Sequence, residues 1–141
     1  MRKRTRAREC ALKILYEIDV TGNSHIESLE NFWQFQETND SNIINFTTSL
    51  VGGAVKNMNR IDKEISNFAT NWQLKRMAVI DRNILRLATY ELLFVEDIPP
   101  KVSINEAVEL AKKFGDVESS RFVNGVLDKI NKTLCPDKKS K

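Results

Sequence analysis

VIDRNILRLATYELLFV, residues 79–95, is apolar around most of a helical circumference. At about 100° per residue only Arg82, Arg86 and Thr89 gather into a polar stripe, at i, i+4 and i+7. Such a helix needs neighbours on nearly every side, so the stretch predicts the central, most buried helix of a helical domain. Pro99 and Pro100 end it, because proline has no amide hydrogen to donate and disfavours helix in the residue before it.

On the N-terminal side, Ile43, Phe46, Leu50, Ala54, Met58, Ile61, Ile65 and Phe68 keep a helical period longer than one ordinary helix, which predicts a break near Asn57–Asn59. Trp72 falls in the connector to the central helix. Ala7, Ala11, Ile14 and Ile18 mark the core stripe of a first helix, with Thr5 as its cap and Gly22 past its end. Ser24 and Glu27 form a capping box for a second helix, whose apolar face is Ile26, Leu29, Phe32 and Trp33.

Beyond the prolines, Ser103 and Glu106 form another capping box, opening a helix that Gly115 closes. A last helix follows Ser119 or Ser120, with Phe122, Val126 and Ile130 at four-residue spacing. No stretch alternates with period two for long enough to predict a strand. The expectation is an all-α fold, a compact single-domain bundle of about seven helices. It occupies residues 1–136, and a basic disordered tail follows at 137–141.

A chain of 141 residues with 41% apolar content can bury one core and has little room for two. Its two cysteines, Cys10 and Cys135, are far apart and in no CxxC spacing, which argues against a disulfide framework or a zinc site and for a reducing cytoplasm. No run approaches the length of a membrane span, and the basic start lacks the pattern of a signal peptide.

Catalytic signals are sparse. His25 is the only histidine and lies in a cap region, so there is no HExxH and no evident base for a serine or cysteine nucleophile. Gly52 and Gly53 lie inside a helical pattern without a phosphate-loop motif, and close helix packing explains them better. Glu106 and Glu109 share a helix face, as carboxylates do on many helices. No metal or cofactor is implied, and the expectation is a protein that is not an enzyme.

The net charge of +3 conceals an asymmetry. Residues 1–8 carry five cations and no acid, residues 132–141 carry four lysines against Asp137, and the remainder holds 13 basic against 18 acidic residues. Basic ends on an acidic body suit a polyanion contacted at one place. Cations at a helix N-terminus oppose the macrodipole, so Arg6 and Arg8 are read as serving a ligand rather than helix stability. Together with free backbone N–H groups they make an anion site, and the planar guanidinium suits phosphate.

Tyr16 falls roughly opposite the Ala7/Ala11/Ile14/Ile18 stripe, with Arg8 and Leu12 on the way round. An exposed aromatic among arginines can stack on an unpaired base, which favours single-stranded RNA. Arg121 and Phe122 repeat that pairing, although Phe122 also continues the core stripe of Val126 and Ile130. Glu91 lies on the apolar face of the central helix and calls for an internal cationic partner.

Four blocks resemble the bacterial NusB family of transcription antitermination factors: ARECALKILY at 7–16, DRNILRLATYEL at 81–92, IPPKVSINEAVELAKKFG at 98–115 and FVNGVLDKI at 122–130. They occur in the family's order, whereas residues 24–58 match poorly. The resemblance implies a helical, non-enzymatic RNA-binding factor that pairs with the small-subunit ribosomal protein NusE. The pair would bind the boxA element of ribosomal RNA leaders and support a termination-resistant RNA polymerase complex.

By position, the resemblance carries RNA contacts to Arg4, Arg6, Arg8, Tyr16, Arg121 and Phe122, with Thr5 where the family can have a further basic residue. It carries a NusE contact to Asp81, whose position also suits a helix N-terminal charge favoured by the dipole. Two other classes compete: an RNA-binding part of an rRNA methyltransferase, to which NusB-like domains are also fused, and a structural homodimer with a solvated basic end.

Overall fold

A computed structural model describes residues 2–36 and 38–138. Seven α-helices account for most of the described residues: α1 (Lys3–Thr21), α2 (His25–Gln34), α3 (Ser41–Lys56), α4 (Met58–Phe68), α5 (Val79–Phe94), α6 (Pro100–Phe114) and α7 (Val117–Leu134). A short 3-10 turn, Leu74–Arg76, lies between α4 and α5. No helix among the described residues is long and apolar enough to cross a membrane.

The all-round apolar α5 is the hub and packs against α1, α3, α4, α6 and α7. Ile84, Leu85, Leu87, Ala88 and Leu92 are all at most 2% exposed, so this helix is buried on several sides at once. Truncating one of its leucines to alanine costs about 2–5 kcal/mol in such a setting. Thr89 is also fully buried and does not join a polar stripe. Arg82 and Arg86 turn inward to acids on α1 and α4, and the stripe is an internal seam rather than a solvated face.

α3 and α4 divide at Asn57, within the expected break, and the Asn57 amide donates to the Gly53 carbonyl at 2.9 Å. Gly53 permits close packing, since a Cβ there would overlap the phenol end of the Tyr90 side chain. Gly22, at φ 77°, ends α1 and donates to the Ile18 carbonyl. The Ser24 hydroxyl accepts from the Glu27 amide as expected. Within α2, Leu29 is buried and Phe32 and Trp33 are half-buried, while Ile26 points outward at 61% exposure.

Three helix starts differ from the sequence reading. α1 begins at Lys3 after Arg2, so Thr5 lies inside the helix and its hydroxyl donates to Glu106. α6 begins directly at Pro100, whose fixed φ suits the first turn, and this carries Ser103 and Glu106 inward as hydrogen-bonding groups rather than caps. Asp116 caps α7 by accepting from the Ser119 amide, which moves the start to Val117.

The chain beyond Pro136 also departs from the expected tail. The Lys138 ammonium donates to the Glu91 and Leu92 carbonyls at 2.9 and 3.2 Å, fastening this segment to the C-terminal end of α5. Residues 139–141 of the expected tail lie outside the described residues.

Candidate nucleic-acid interface

The periodicity of α1 sorts its cations into two environments. Arg8 lies about 90° from the middle of the core stripe, on its flank, and helix packing closes over it. It is 3% exposed. Its Nε and Nη2 donate to the two Glu91 oxygens at 2.8 Å each, and Nη1 donates to Glu106 at 3.0 Å. Ser103 donates to Glu91 and Thr5 to Glu106, which satisfies further lone pairs.

Arg8 is therefore the internal cation that Glu91 requires, and the reading of it as a phosphate contact is corrected. Its guanidinium has no free face toward solvent. Burial alone would lower its pKa, but the hydrogen bonds and charges of Glu91 and Glu106 outweigh that and raise it. Arg8 remains a cation throughout.

Arg4 and Arg6 are exposed, and neither has a carboxylate at ion-pair distance among the described residues. Arg4 lies over the Phe46 ring of α3 at 4.4 Å from its centroid, so the basic segment is packed onto the bundle rather than trailing free. Lys3 pairs with Asp40 at 3.0 Å. Tyr16, 40% exposed, lies on the outer face of the same helix.

A second cluster forms where α7 begins. Phe122 is half-buried: it packs against the core and meets the Trp72 ring edge-on at 6.1 Å, so it combines a core role with an edge toward the surface. Arg121 is exposed and only loosely associated with Glu118, at 3.9 Å. Trp72, Asp81, Asp116, Ser119, Arg121 and Phe122 line one cavity of about 640 Å³.

Asp81 Oδ1 is buried there without a hydrogen-bond partner. Burial pushes its carboxyl pKa up; Ser119 offsets part of this and the nearby Asp116 charge adds to it. An unpartnered carboxylate oxygen in a cavity is an acceptor prepared for a donor from outside. Trp72, 55% exposed, was legible in the sequence only as a connector residue. Its approach to Phe122 joins residues 50 positions apart and leaves no local signal in either segment.

No hydrogen bond, ion pair or ring contact among the described residues links Arg4, Arg6 or Tyr16 to Arg121, Phe122 or Asp81. Arg6 and Tyr16 mark the outer face of α1, Arg4 turns toward Phe46 on α3, and the second group surrounds the α5–α7 cavity. Fold and surface define a helical adaptor: a packed bundle carrying exposed, unpaired arginines on its first helix and a separate acceptor-bearing cavity.

Comparison with known proteins specifies the adaptor further. A sequence model of the NusB family matches residues 5–132. Transcription antitermination protein NusB of Anaeromyxobacter sp. (strain Fw109-5) is 47% identical over 137 residues, covering 97% of this chain and 95% of the relative. The solved T. maritima NusB superposes with a TM-score of 0.85 at 40% identity, covering 92% and 91% of the two chains. A structure described as antitermination factors NusB and NusE in complex with dsRNA matches with a TM-score of 0.87 at 31% identity, covering 94% and 98%. The chain belongs to the NusB family and is a transcription antitermination factor, not an enzyme.

Proposed function

We propose that this factor binds RNA through Arg4, Arg6 and Tyr16 on α1, with Arg121 and Phe122 at the start of α7, and docks a NusE-type ribosomal protein on the face bearing Asp81. The observation that carries the reading is the pair of exposed arginines without carboxylate partners at the start of α1, with an exposed tyrosine about 15 Å beyond Arg6 on the same helix. Unpaired cations supply phosphate contacts, and the aromatic supplies a stacking surface. The similar NusB–NusE–RNA structure supports both classes of partner. With Arg8 enclosed in the core, the phosphate contacts on α1 fall to Arg4 and Arg6.

The finer assignment is to single-stranded boxA RNA of ribosomal RNA leaders, within a termination-resistant RNA polymerase complex in the cytoplasm. Single-stranded RNA suits Tyr16 because only unpaired bases offer a free face. The test is fluorescence anisotropy of a labelled boxA-like strand, a scrambled strand and a boxA duplex, each with and without NusE. Preference for single-stranded boxA, strengthened by NusE and weakened by Arg6→Glu or Tyr16→Ala, is expected. Equal binding to all three RNAs, indifferent to NusE, would reduce the cationic face to a general polyanion tether.

A further inference from the structure

The outer face of α1 continues past Arg6. Lys13 follows Arg6 by seven residues, which on an α-helix is about 20° of rotation and about 10 Å of rise. It is exposed, and no carboxylate among the described residues lies at ion-pair distance from it. Its ammonium lies 5.9 Å from the Phe114 ring centroid at the end of α6. A second ammonium, from Lys113, lies 5.5 Å from the same centroid.

Two helices thus deliver two like charges to one ring. Glu9 is engaged with Lys113 at 2.9 and 3.0 Å and is largely covered, while Lys113 remains half exposed. Glu109 is directed to Lys112. Neither acid neutralises Lys13. Burial raises the Cys10 thiol pKa while the charges of Arg6 and Lys13 oppose it, consistent with the two cations flanking that residue. One further turn along, Tyr16 stands on the same side of the helix.

We propose that bound RNA continues along α1 and that one backbone phosphate sits between Lys13 and Lys113, bringing the adjoining base to Tyr16. The assignment rests on the RNA reading above and extends its phosphate contacts from the N-terminal arginines to the α1–α6 junction. Glu9 already offsets part of the charge on Lys113, whereas Lys13 has no acid at ion-pair distance among the described residues. An anion beside this ring therefore meets one unpaired ammonium and a second that it shares with Glu9. A phosphodiester chain suits the spacing, because Arg6 lies about 10 Å from Lys13 on the same face and a further phosphate of the same strand would meet it there.

The test is a salt titration of binding to a labelled boxA-like single-stranded RNA by the full chain with NusE present. It compares wild type, Arg6→Gln, Lys13→Gln/Lys113→Gln, Lys13→Arg/Lys113→Arg and Glu9→Gln. The double glutamine variant is expected to bind more weakly, with the slope of log K against log salt reduced by about 0.7 for the lost phosphate. The double arginine variant should keep the slope. Glu9→Gln should tighten binding by removing a carboxylate that competes for Lys113.

An unchanged slope in the double glutamine variant beside a reduced slope in Arg6→Gln overturns this phosphate site and leaves the RNA reading intact. Unchanged slopes in both overturn the two together. A lower melting temperature with an unchanged slope assigns the lysines to packing and also overturns the site. Weaker capture of NusE with RNA contacts unaltered assigns the patch to an acidic protein surface and overturns it as well.

Discussion

Arg8 and Glu91 lie 83 residues apart and meet side-on, with two parallel hydrogen bonds of 2.8 Å between guanidinium and carboxylate. The pair joins α1 to α5 where both are closed to solvent, and Ser103 and Glu106 bring α6 into the same network. One face of α1 is thereby locked to the core while the opposite face presents Arg6 and Tyr16.

Removing one partner of this pair leaves an uncompensated buried charge. Arg8→Met is therefore expected to cost about 3–5 kcal/mol of stability, whereas Arg8→Met/Glu91→Leu should recover much of that loss. Urea denaturation measures both. A loss below about 1 kcal/mol in the single variant would contradict burial of the pair.

Two aspartates should respond to acid in opposite directions. Burial would raise the Asp19 pKa, but hydrogen bonds from Arg82 and Asn83 and the charges of Arg86 and Arg82 hold it below the ordinary 3.8. Its stabilisation is complete above that unfolded value and is lost as pH falls through the lower folded value. Asp81, raised mainly by burial, behaves in reverse: its ionised form costs stability at neutral pH, and the cost fades as pH falls through its raised folded value toward 3.8. Denaturation of Asp19→Asn at pH 7 should show a loss, and Asp81→Asn a gain that disappears near pH 4 together with weaker NusE binding. A gain independent of pH would place its origin outside the Asp81 charge.

Adjacent glycines in α3 should also give opposite results. A Cβ on Gly52 meets nothing within 4 Å, so Gly52→Ala is expected to stabilise by about 0.5–1 kcal/mol through helix propensity. A Cβ on Gly53 would meet the Tyr90 ring, which is stacked on Phe94 with centroids 5.8 Å apart. Gly53→Ala must displace that ring and should be destabilising, with a changed tyrosine fluorescence. Equal gains at the two positions would show that Tyr90 moves aside without cost.

The hub of the fold was legible because α5 is apolar on almost every side, and the division at Asn57 because the apolar period outlasts one helix. What escaped depended on partners remote in sequence. Arg8 reads as one more cation in a basic block, and its flank position acquires meaning only with Glu91, an acid on an apolar face, as its counterpart. Ser103 and Glu106 satisfy the capping pattern, yet the prolines start α6 a turn earlier and rotate both side chains toward α1 and α5. The basic-aromatic pattern of Arg4, Arg6 and Tyr16 could be read locally, whereas Trp72 beside Phe122 and the approach of Lys13 and Lys113 to one Phe114 ring required the packing of separate elements.

The C-terminal segment offers a test of how little contact is needed to hold a chain end. The last carbonyls of α5 form the negative end of its dipole, and Lys138 places an ammonium on two of them. Val95 already donates to the Glu91 oxygen, so Lys138 adds a second donor there, and the Cys135 thiol shares the Leu92 carbonyl. Lys138→Met retains most of the side-chain stem and removes the charge, while Lys138→Ala removes both. Burial pulls the Lys138 pKa down, and the nearby Cys135, Glu91, Glu96 and Asp97 charges offset only part of this, so the dipole must outweigh that desolvation. If it does, both variants should lose a similar 0.3–1 kcal/mol, roughly, with faster amide exchange at Val95. Full stability in Lys138→Met beside a loss in Lys138→Ala would instead assign the fastening to the buried stem, and the hydrogen bonds to α5 would contribute nothing net.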